Sequence, residues 1–256
     1  NFRAGVTAES DAGEPWFKNG GQGFDLYRFY VEASNLSNVN RVVVGSYRVG
    51  FGRGLLFGQQ VYGDRLSQVL NRNLSSYGVS GYGGVSEQPT LLGAATTIQF
   101  SRFTVTPFYG YTALDADTAG GVWHSFSTSG YHRSKIEIAR RSTLGLHTIG
   151  ANVAYNQRYF NVGVTAYGGF FSLPAVLGSD DWSANDFVGD SQWGVSLNYG
   201  LHKSRVWFSG ETALSQGVAV ATANTLLVRP LGELQFALTH RYFSPRYHVF
   251  WANTSS

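Results

Sequence analysis

The chain has 256 residues, of which 43% are hydrophobic and 15% aromatic, whereas only 14% are charged. This composition excludes a disordered chain, and the length is sufficient for one large domain or two small ones. Because Cys is absent, a disulfide scaffold and a cysteine nucleophile are excluded, and a net charge of +3 is too small to predict a nucleic-acid partner. The chain begins at Asn1 and lacks Met, so we expect a processed or trimmed polypeptide.

Alternating segments of about ten residues predict β-strands along the whole chain. They begin near Phe2, Phe24, Arg41, Leu91, Phe103, Leu146, Tyr159, Gln192, Arg205, Val218 and Glu233. A twelfth segment is expected from Tyr247. The sequence therefore predicts an all-β protein.

The segment from Phe103 to Ala113 illustrates the alternation. One face carries Phe103, Val105, Pro107, Tyr109 and Tyr111, and the other carries Thr104, Thr106, Gly110 and Thr112. Phe108 is the exception. A polar face of small uncharged residues suits a wet interior, and an apolar face that ends in aromatic residues suits the two interfaces of a membrane.

The connections alternate between short and long. Short ones lie at Asn35–Asn40, near Arg102, at Gln157-Arg158, at His202–Ser204 and at Pro230–Gly232. Long ones lie at Asp11–Gly23, Arg53–Thr90, Asp115–Gly145 and Leu173–Ser191. Tight turns on one side and long loops on the other are typical of outer-membrane barrels. One outer connection, between Ser215 and Val218, is short and breaks the pattern.

We therefore predict an antiparallel transmembrane β-barrel of about 12 or more strands, formed by residues 1–256 as one domain. Its expected location is the outer membrane of a Gram-negative bacterium. Such barrels usually have an even number of strands, and an end at Trp251–Ser256 does not complete one, so we expect part of a larger barrel. A closed twelve-stranded barrel with a frayed last strand is the alternative, and a soluble β-sandwich is the alternative to a membrane protein.

Several short motifs resemble the barrel region of a family of large outer-membrane proteins of Bacteroidota, often labelled by an N-terminal helix-hairpin-helix segment. The matching stretches are Tyr47–Leu55, Gly93–Thr97, Phe108–Tyr111, Leu114–Ala116, Gly130–Arg133 and Gly150–Asn152 with Tyr155. They span about half of the chain. The resemblance implies an outer-membrane location and a barrel. Because no helix-hairpin-helix stretch is present in this chain, no DNA-binding role can be carried over from the family.

Charged residues on the polar faces form the first candidate site. These residues are Arg3, Glu9, Arg28, Glu32, Arg48, Arg205, Glu211, Glu233 and Arg241. A charged lining of this kind filters solutes or holds a plug. Pairing of Arg with Glu across neighbouring strands explains the same residues without a specific function.

A basic cluster before the strand at Leu146 forms the second candidate site. It consists of His132, Arg133, Lys135, Arg140 and Arg141. Arginine matches the geometry of phosphate groups, so we predict contact with lipopolysaccharide. A solvated loop in which Glu137 is the internal partner is the alternative.

The sequence contains no Gly-Xaa-Ser-Xaa-Gly elbow, no His-Glu-Xaa-Xaa-His run and no complete calcium-loop signature. We therefore predict no catalytic residues, no metal and no cofactor. The expected function is that of a membrane-embedded subunit of a larger assembly with other outer-membrane proteins. A porin-like or solute-binding channel is the alternative. An outer-membrane hydrolase, which a Ser or Asp beside His132 or His147 would favour, is a further one.

Overall fold

The computed structural model describes residues 1–13, 23–58, 78–86, 88–127, 129–176, 185–232 and 234–252. These ranges contain 13 strands joined in one sheet, which confirms the all-β prediction. The strands are β1 Phe2–Glu9, β2 Leu26–Leu36, β3 Val39–Gly50, β4 Gly78–Gly81, β5 Leu91–Phe100, β6 Phe103–Ala119, β7 Val122–Ser127, β8 Leu144–Asn156, β9 Phe160–Ala175, β10 Gly189–Lys203, β11 Val206–Ser215, β12 Ala219–Val228 and β13 Phe236–Phe243.

A six-residue helix, α1 Lys135–Arg140, precedes β8, and a 3-10 turn, Gln216–Val218, joins β11 to β12. Ser134 caps α1 by accepting a hydrogen bond from the amide of Glu137. No helix in the described ranges has the length and apolar character needed for a membrane span.

The main strands form an up-and-down meander. Ten antiparallel pairings join successive members of the series β1, β2, β3, β5, β6, β8, β9, β10, β11, β12 and β13. These eleven strands correspond to the eleven predicted segments. The short strands β4 and β7 were not predicted, because they lie within long connections and pair with β3 and β6.

Short links join the strands at one end of the sheet, as predicted. Ser37, Ser101 and Ser204 adopt positive φ angles of 52°, 56° and 52° in three of these turns. Turns of two residues favour such left-handed conformations because their twist matches that of the flanking strands. We call this edge the short-turn end, and the opposite edge the long-loop end.

The two faces of the sheet differ in polarity, and the arrangement is the inverse of that in a water-soluble protein: polar side chains are buried on one face, and apolar side chains are exposed on the other. On β6, Thr106 and Thr112 are buried, whereas Phe103 and Tyr109 are exposed. The face that carries the buried side chains is called the inner face, and the other the outer face. Polar residues buried on the inner face of the sheet include Thr148, Asn152, Thr165, Gln192, Ser196, Glu211, Ser215 and Thr225.

The strands β1 and β13 are the edges of the sheet. β1 pairs with β2 and β13 with β12, and within the described ranges no hydrogen bonds pair β1 with β13. Closure of the sheet into a barrel therefore stays a prediction.

Candidate functional site

Residues 51–58, which follow β3, lie against the inner face of the sheet, and we call them the inner segment. The backbone amides of Arg53 and Leu55 donate to the same carboxylate oxygen, Oε2 of Glu211, at 2.5 and 3.0 Å. Glu211 is on β11 and completely buried. The Arg53 guanidinium also donates to Oγ1 of Thr225 on β12 at 2.9 Å. The buried carboxylate of Glu211 thus holds the inner segment, which follows β3 in the chain, against β11.

Glycine at position 52 permits this approach. Gly52 has a φ of +59°, and a Cβ atom there would lie 2.6 Å from the carboxyl group of Glu211. Any other residue would combine an unfavourable backbone conformation with a steric clash.

Five aromatic residues form what we call the aromatic plug: Phe51, Phe57, Phe108, Tyr167 and Trp251. The ring of Phe57 lies 5.0 Å from that of Phe108 and 5.1 Å from that of Tyr167, both in edge-to-face geometry. It also stacks on Trp251 at 6.2 Å. Such contacts add to the stabilisation gained by burying apolar area. The aromatic plug therefore occupies the space enclosed by the inner face of β6, β9 and the inner segment.

The residues after β13 also turn onto the inner face. The Tyr247 hydroxyl donates to the carbonyl of Leu55 at 2.8 Å, and the amide of Gly58 donates to the carbonyl of Trp251 at 3.0 Å. The Trp251 indole donates to Oγ1 of Thr148 on β8 at 3.0 Å. The predicted twelfth strand from Tyr247 is therefore wrong, because this segment packs inside the sheet and does not extend it.

A polar cavity of about 500 Å³ lies on the inner face at the short-turn end. Phe51 and Val79 form its apolar wall, next to the inner segment. Six asparagines line it, namely Asn35, Asn40, Asn152, Asn156, Asn161 and Asn198. The aromatic plug thus fills the interior beside the long-loop end, while the short-turn end retains open polar space.

The predicted inner-face charges form a paired network on β1, β2 and β3. Arg3 donates to Glu32 at 2.5 Å, and the two residues lie directly opposite in the register of β1 and β2. Arg41 approaches the same carboxylate at 3.3 Å, and the amide of Gly81 donates to it at 3.0 Å. Cross-strand pairing, the alternative in which these charges have no specific function, therefore accounts for Arg3 and Glu32.

Two further predicted arginines contact the face of one tyrosine. The guanidinium carbon of Arg48 lies 3.3 Å from the ring centroid of Tyr82, and that of Arg28 lies 5.0 Å from it. Arg28 also donates to the carbonyl of Gly84. These arginines anchor residues 78–86 against the inner face.

The remaining predicted charges are dispersed. Glu9 lies at the end of the edge strand β1, and Arg241 lies on the edge strand β13. Arg205 departs from the prediction, because it lies in the exposed turn between β10 and β11 and donates to the carbonyl of Pro230 at 2.5 Å. Glu233 lies outside the described residues.

At the long-loop end, His132 bridges two carboxylates. Its Nδ1 lies 2.7 Å from Asp25, and its Nε2 lies 2.8 Å from Asp115. Arg141 pairs with Asp25 at 3.0 Å, and the amide of Ser142 donates to Asp115 at 2.8 Å. The hydrogen bonds to Asp115 and Asp25 raise the pKa of His132 to about 9. An imidazolium that donates from both ring nitrogens thus joins the connection before β2, strand β6 and the connection between β7 and β8.

The other residues of the predicted basic cluster are distributed around α1. Arg140 pairs with Asp117 at 2.6 Å, and Arg133 lies 4.0 Å from Asp11. Lys135 is exposed at the start of the helix. Glu137 accepts hydrogen bonds from the amides of Arg133 and Ser134, which hold its pKa below the usual value. Contact of this cluster with lipopolysaccharide stays a prediction.

The geometry around the histidines bears on the hydrolase alternative. Although Asp25 and Asp115 lie beside His132, each occupies one ring nitrogen, so neither nitrogen is left to accept a proton from a nucleophile. His147 lies on the outer face, where its Nδ1 contacts the Tyr109 hydroxyl at 2.9 Å. No group of acidic and histidine side chains that could hold a metal occurs among the described residues.

Sequence reasoning missed the inner segment, the segment after β13 and the asparagine-lined cavity. One signal for the aromatic plug was present, because Phe108 interrupts the polar face of its strand. Tyr167 interrupts the polar face of β9 in the same way. Large aromatic residues on an inner face indicate that apolar material packs there.

No protein-family model matches the chain, and no curated protein or solved structure matches it. The resemblance to outer-membrane proteins of Bacteroidota stays a prediction.

Proposed function

We propose that the chain is an integral β-barrel protein of the outer membrane of a Gram-negative bacterium and serves as a membrane-embedded subunit of a larger outer-membrane assembly. The observation that carries this proposal is the inversion of the two faces of the sheet.

Neighbouring residues on β10 illustrate the inversion. Leu197 is 45% exposed, whereas Ser196 beside it is 1% exposed. The same contrast separates Ile149 from Thr148 on β8 and Val164 from Thr165 on β9. A continuous apolar surface over several strands is unfavourable in water, but it is the surface that lipid requires.

The edges of the sheet favour an assembly. In hydrocarbon, unpaired backbone groups of β1 and β13 would cost several kcal/mol each, so the edges must be covered there. The outer face close to β13 is also polar, since the Tyr199 hydroxyl donates to Asn224 at 2.7 Å and Thr222 accepts from the same asparagine at 2.9 Å. Polar groups at this position are better suited to a protein partner than to lipid.

The aromatic plug and the inner segment argue against a permanently open pore. A solute crossing the sheet interior would have to displace Phe57 and Trp251 together with the hydrogen bonds to Glu211. The porin-like alternative is therefore less well supported than the subunit.

Fractionation of native membranes tests the proposal. We expect the protein to sediment with the outer membrane, to require detergent for extraction and to elute above the size of one copy together with defined partners. A protein that is released without detergent would overturn membrane embedding. A detergent-extracted single copy without partners would overturn only the assembly.

Cysteine pairs test how the edges are covered, since the natural chain has no Cys that would interfere. Val6→Cys on β1 is combined with one cysteine at Phe236, Leu238, His240 or Tyr242 on β13. Val31→Cys with Val44→Cys, which face each other in the register of β2 and β3, is the positive control for oxidation. We expect the control to form a disulfide within the chain and the edge pairs to form none. An edge disulfide within one chain would overturn coverage by a partner.

A further inference from the structure

The polar cavity at the short-turn end combines hydrogen-bonding capacity with little net charge. Among the described residues, its lining contains six asparagines, the three threonines Thr97, Thr104 and Thr106, and Arg41 as the one ionisable side chain. The described part of the lining includes no carboxylate. This chemistry differs from the paired charges on β1 and β2 and from the aromatic plug.

Two of the nitrogen atoms of the Arg41 guanidinium are already engaged by the protein. Its Nε lies 3.3 Å from a carboxylate oxygen of Glu32, and its Nη1 donates to the carbonyl of Val79 at 2.5 Å. The guanidinium is therefore engaged by the protein and is poorly placed to bind a phosphate or a carboxylate in the cavity. The ligand that fits this lining is uncharged.

The cavity lining also includes side-chain oxygens that accept no hydrogen bond from the described residues. Oδ1 of Asn198 is buried and has no hydrogen-bond partner among the described residues. Asn152 donates to Oγ1 of Thr165 at 2.9 Å and to the carbonyl of Val164 at 3.3 Å, which commits its amide nitrogen and leaves its oxygen as an acceptor. The buried Oδ1 of Asn198 is an unfavourable acceptor without a donor, and both asparagine oxygens favour a ligand that supplies hydroxyl hydrogens.

Two glycines place Asn198 at this position. A Cβ atom on Gly163 would lie 2.6 Å from the side-chain oxygen of Asn198, and one on Gly52 would lie 3.0 Å from its Cβ atom. Because Gly52 precedes Arg53 in the inner segment, the hydrogen bonds that dock this segment on Glu211 also shape the cavity.

We propose that this cavity binds a neutral polyhydroxylated solute of the saccharide class. Amide groups both donate and accept hydrogen bonds, as the hydroxyls of a sugar do, and Phe51 and Val79 offer an apolar wall for the C–H face of a sugar ring. A volume of about 500 Å³ lies within the range of small-molecule sites. The site is formed by this chain alone, so binding does not depend on the assembly proposed above.

Ligand-observed NMR on the full chain tests the proposal, with the protein held in an amine-oxide detergent that has no sugar headgroup. The probes are maltose and maltotriose as neutral sugars, glucuronic acid as an anion, and triglycine, blocked by N-acetylation and C-terminal amidation, as an uncharged peptide. We expect saturation transfer to the neutral sugars and not to the other two. Transfer to triglycine alone, equal transfer to glucuronic acid, or no transfer to either sugar would overturn the saccharide class.

Asn198→Ala provides a matched variant, because it removes an acceptor for which the described residues supply no donor. We expect its affinity for the neutral sugars to fall about tenfold while its thermal midpoint does not fall. Asn224→Ala, on the outer face, is the control and should bind as the natural chain does. Equal affinity of all three proteins would overturn the assignment of this cavity, whatever the outcome of the partner experiments.

Discussion

His132 is the residue whose charge has the largest structural consequence at the long-loop end. It contacts Asp25 before β2 and Asp115 in β6, and it belongs to the connection between β7 and β8. Its side chain is largely buried, so water competes little for these hydrogen bonds. The positive charge of the imidazolium and that of Arg141 together balance the two carboxylates.

The raised pKa of His132 predicts that these loops loosen in alkaline solution. The folded pKa is about 9, above the unfolded value of about 6.5, so the stabilisation is complete below pH 6.5 and is lost as the pH rises through 9. Proteolysis or hydrogen exchange of residues 129–143 between pH 6 and 10 measures it. His132→Gln should loosen the loops below pH 9, where the natural imidazole is charged, and should abolish their pH dependence. A natural chain whose opening free energy, obtained from the exchange rate divided by the intrinsic rate at each pH, does not change across this range would contradict the prediction.

Glu211 is a second residue whose role can be tested by substitution, since its carboxylate accepts hydrogen bonds from two backbone amides. Glu211→Ala leaves the buried amides of Arg53 and Leu55 without an acceptor, and we expect this to destabilise docking of the inner segment by about 2–4 kcal/mol. Glu211→Gln retains one oxygen and should have a much smaller effect. Hydrogen exchange of residues 51–58 distinguishes the two variants, and equal exchange in both would contradict the acceptor role.

The strands were predictable because each obeys a local rule. Alternation over about ten residues reveals a strand without knowledge of its neighbours, and the polar faces of β6 and β9 are interrupted by apolar residues such as Phe108 and Tyr167. The inner segment was not predictable, since its contacts are with residues distant in sequence, such as Glu211, which lies 156 positions after Leu55. The segment after β13 misled the prediction, because Tyr247, Val249 and Trp251 alternate with other residues without forming a strand.

Because the aromatic plug fills the interior, we expect the ionic conductance of the protein to be low and to rise when the side chains of the plug are truncated. Phe57→Ala with Trp251→Ala removes the stacked pair, and truncation of a buried aromatic residue costs about 3–5 kcal/mol. We expect the natural chain to show little steady conductance in planar bilayers and the double variant to show measurable openings. Phe236→Ala, an exposed phenylalanine on β13, is the control. A natural chain that already conducts as strongly as the double variant would contradict the role of the plug.

At the scale of the whole molecule, the burial of polar side chains on one face and the exposure of apolar side chains on the other follow from the composition and the alternation of the sequence. A chain with 43% hydrophobic and only 14% charged residues cannot place a charged layer on every exposed face. Small polar side chains such as Thr148 and Thr165 are instead buried. The sequence predicted which face is polar, but neither the pairing of Glu32 with two arginines nor the unpaired edges could be derived from local patterns.

Membrane embedding predicts a depth-dependent cost for arginine on the outer face. Leu197 lies near the middle of β10 and Leu201 near its short-turn end, and both are about half exposed. In a bilayer, Leu197→Arg should cost about 2–4 kcal/mol and Leu201→Arg about 0–1 kcal/mol. Reversible folding into lipid vesicles measures the difference. Equal, near-zero costs would contradict the membrane proposal, because two exposed leucines in water tolerate arginine equally well.

The contacts of the inner segment also determine the order in which the chain can fold. Pairing of β10 with β11 joins residues that are close in sequence, whereas the bond from Tyr247 to Leu55 spans 192 residues. Loop-closure entropy favours the nearby pairings first, so the hairpins form early and the interior fills late. The unfilled sheet is then a folding intermediate whose inner face is still wet, and the rate at which Trp251 becomes buried reports the final step.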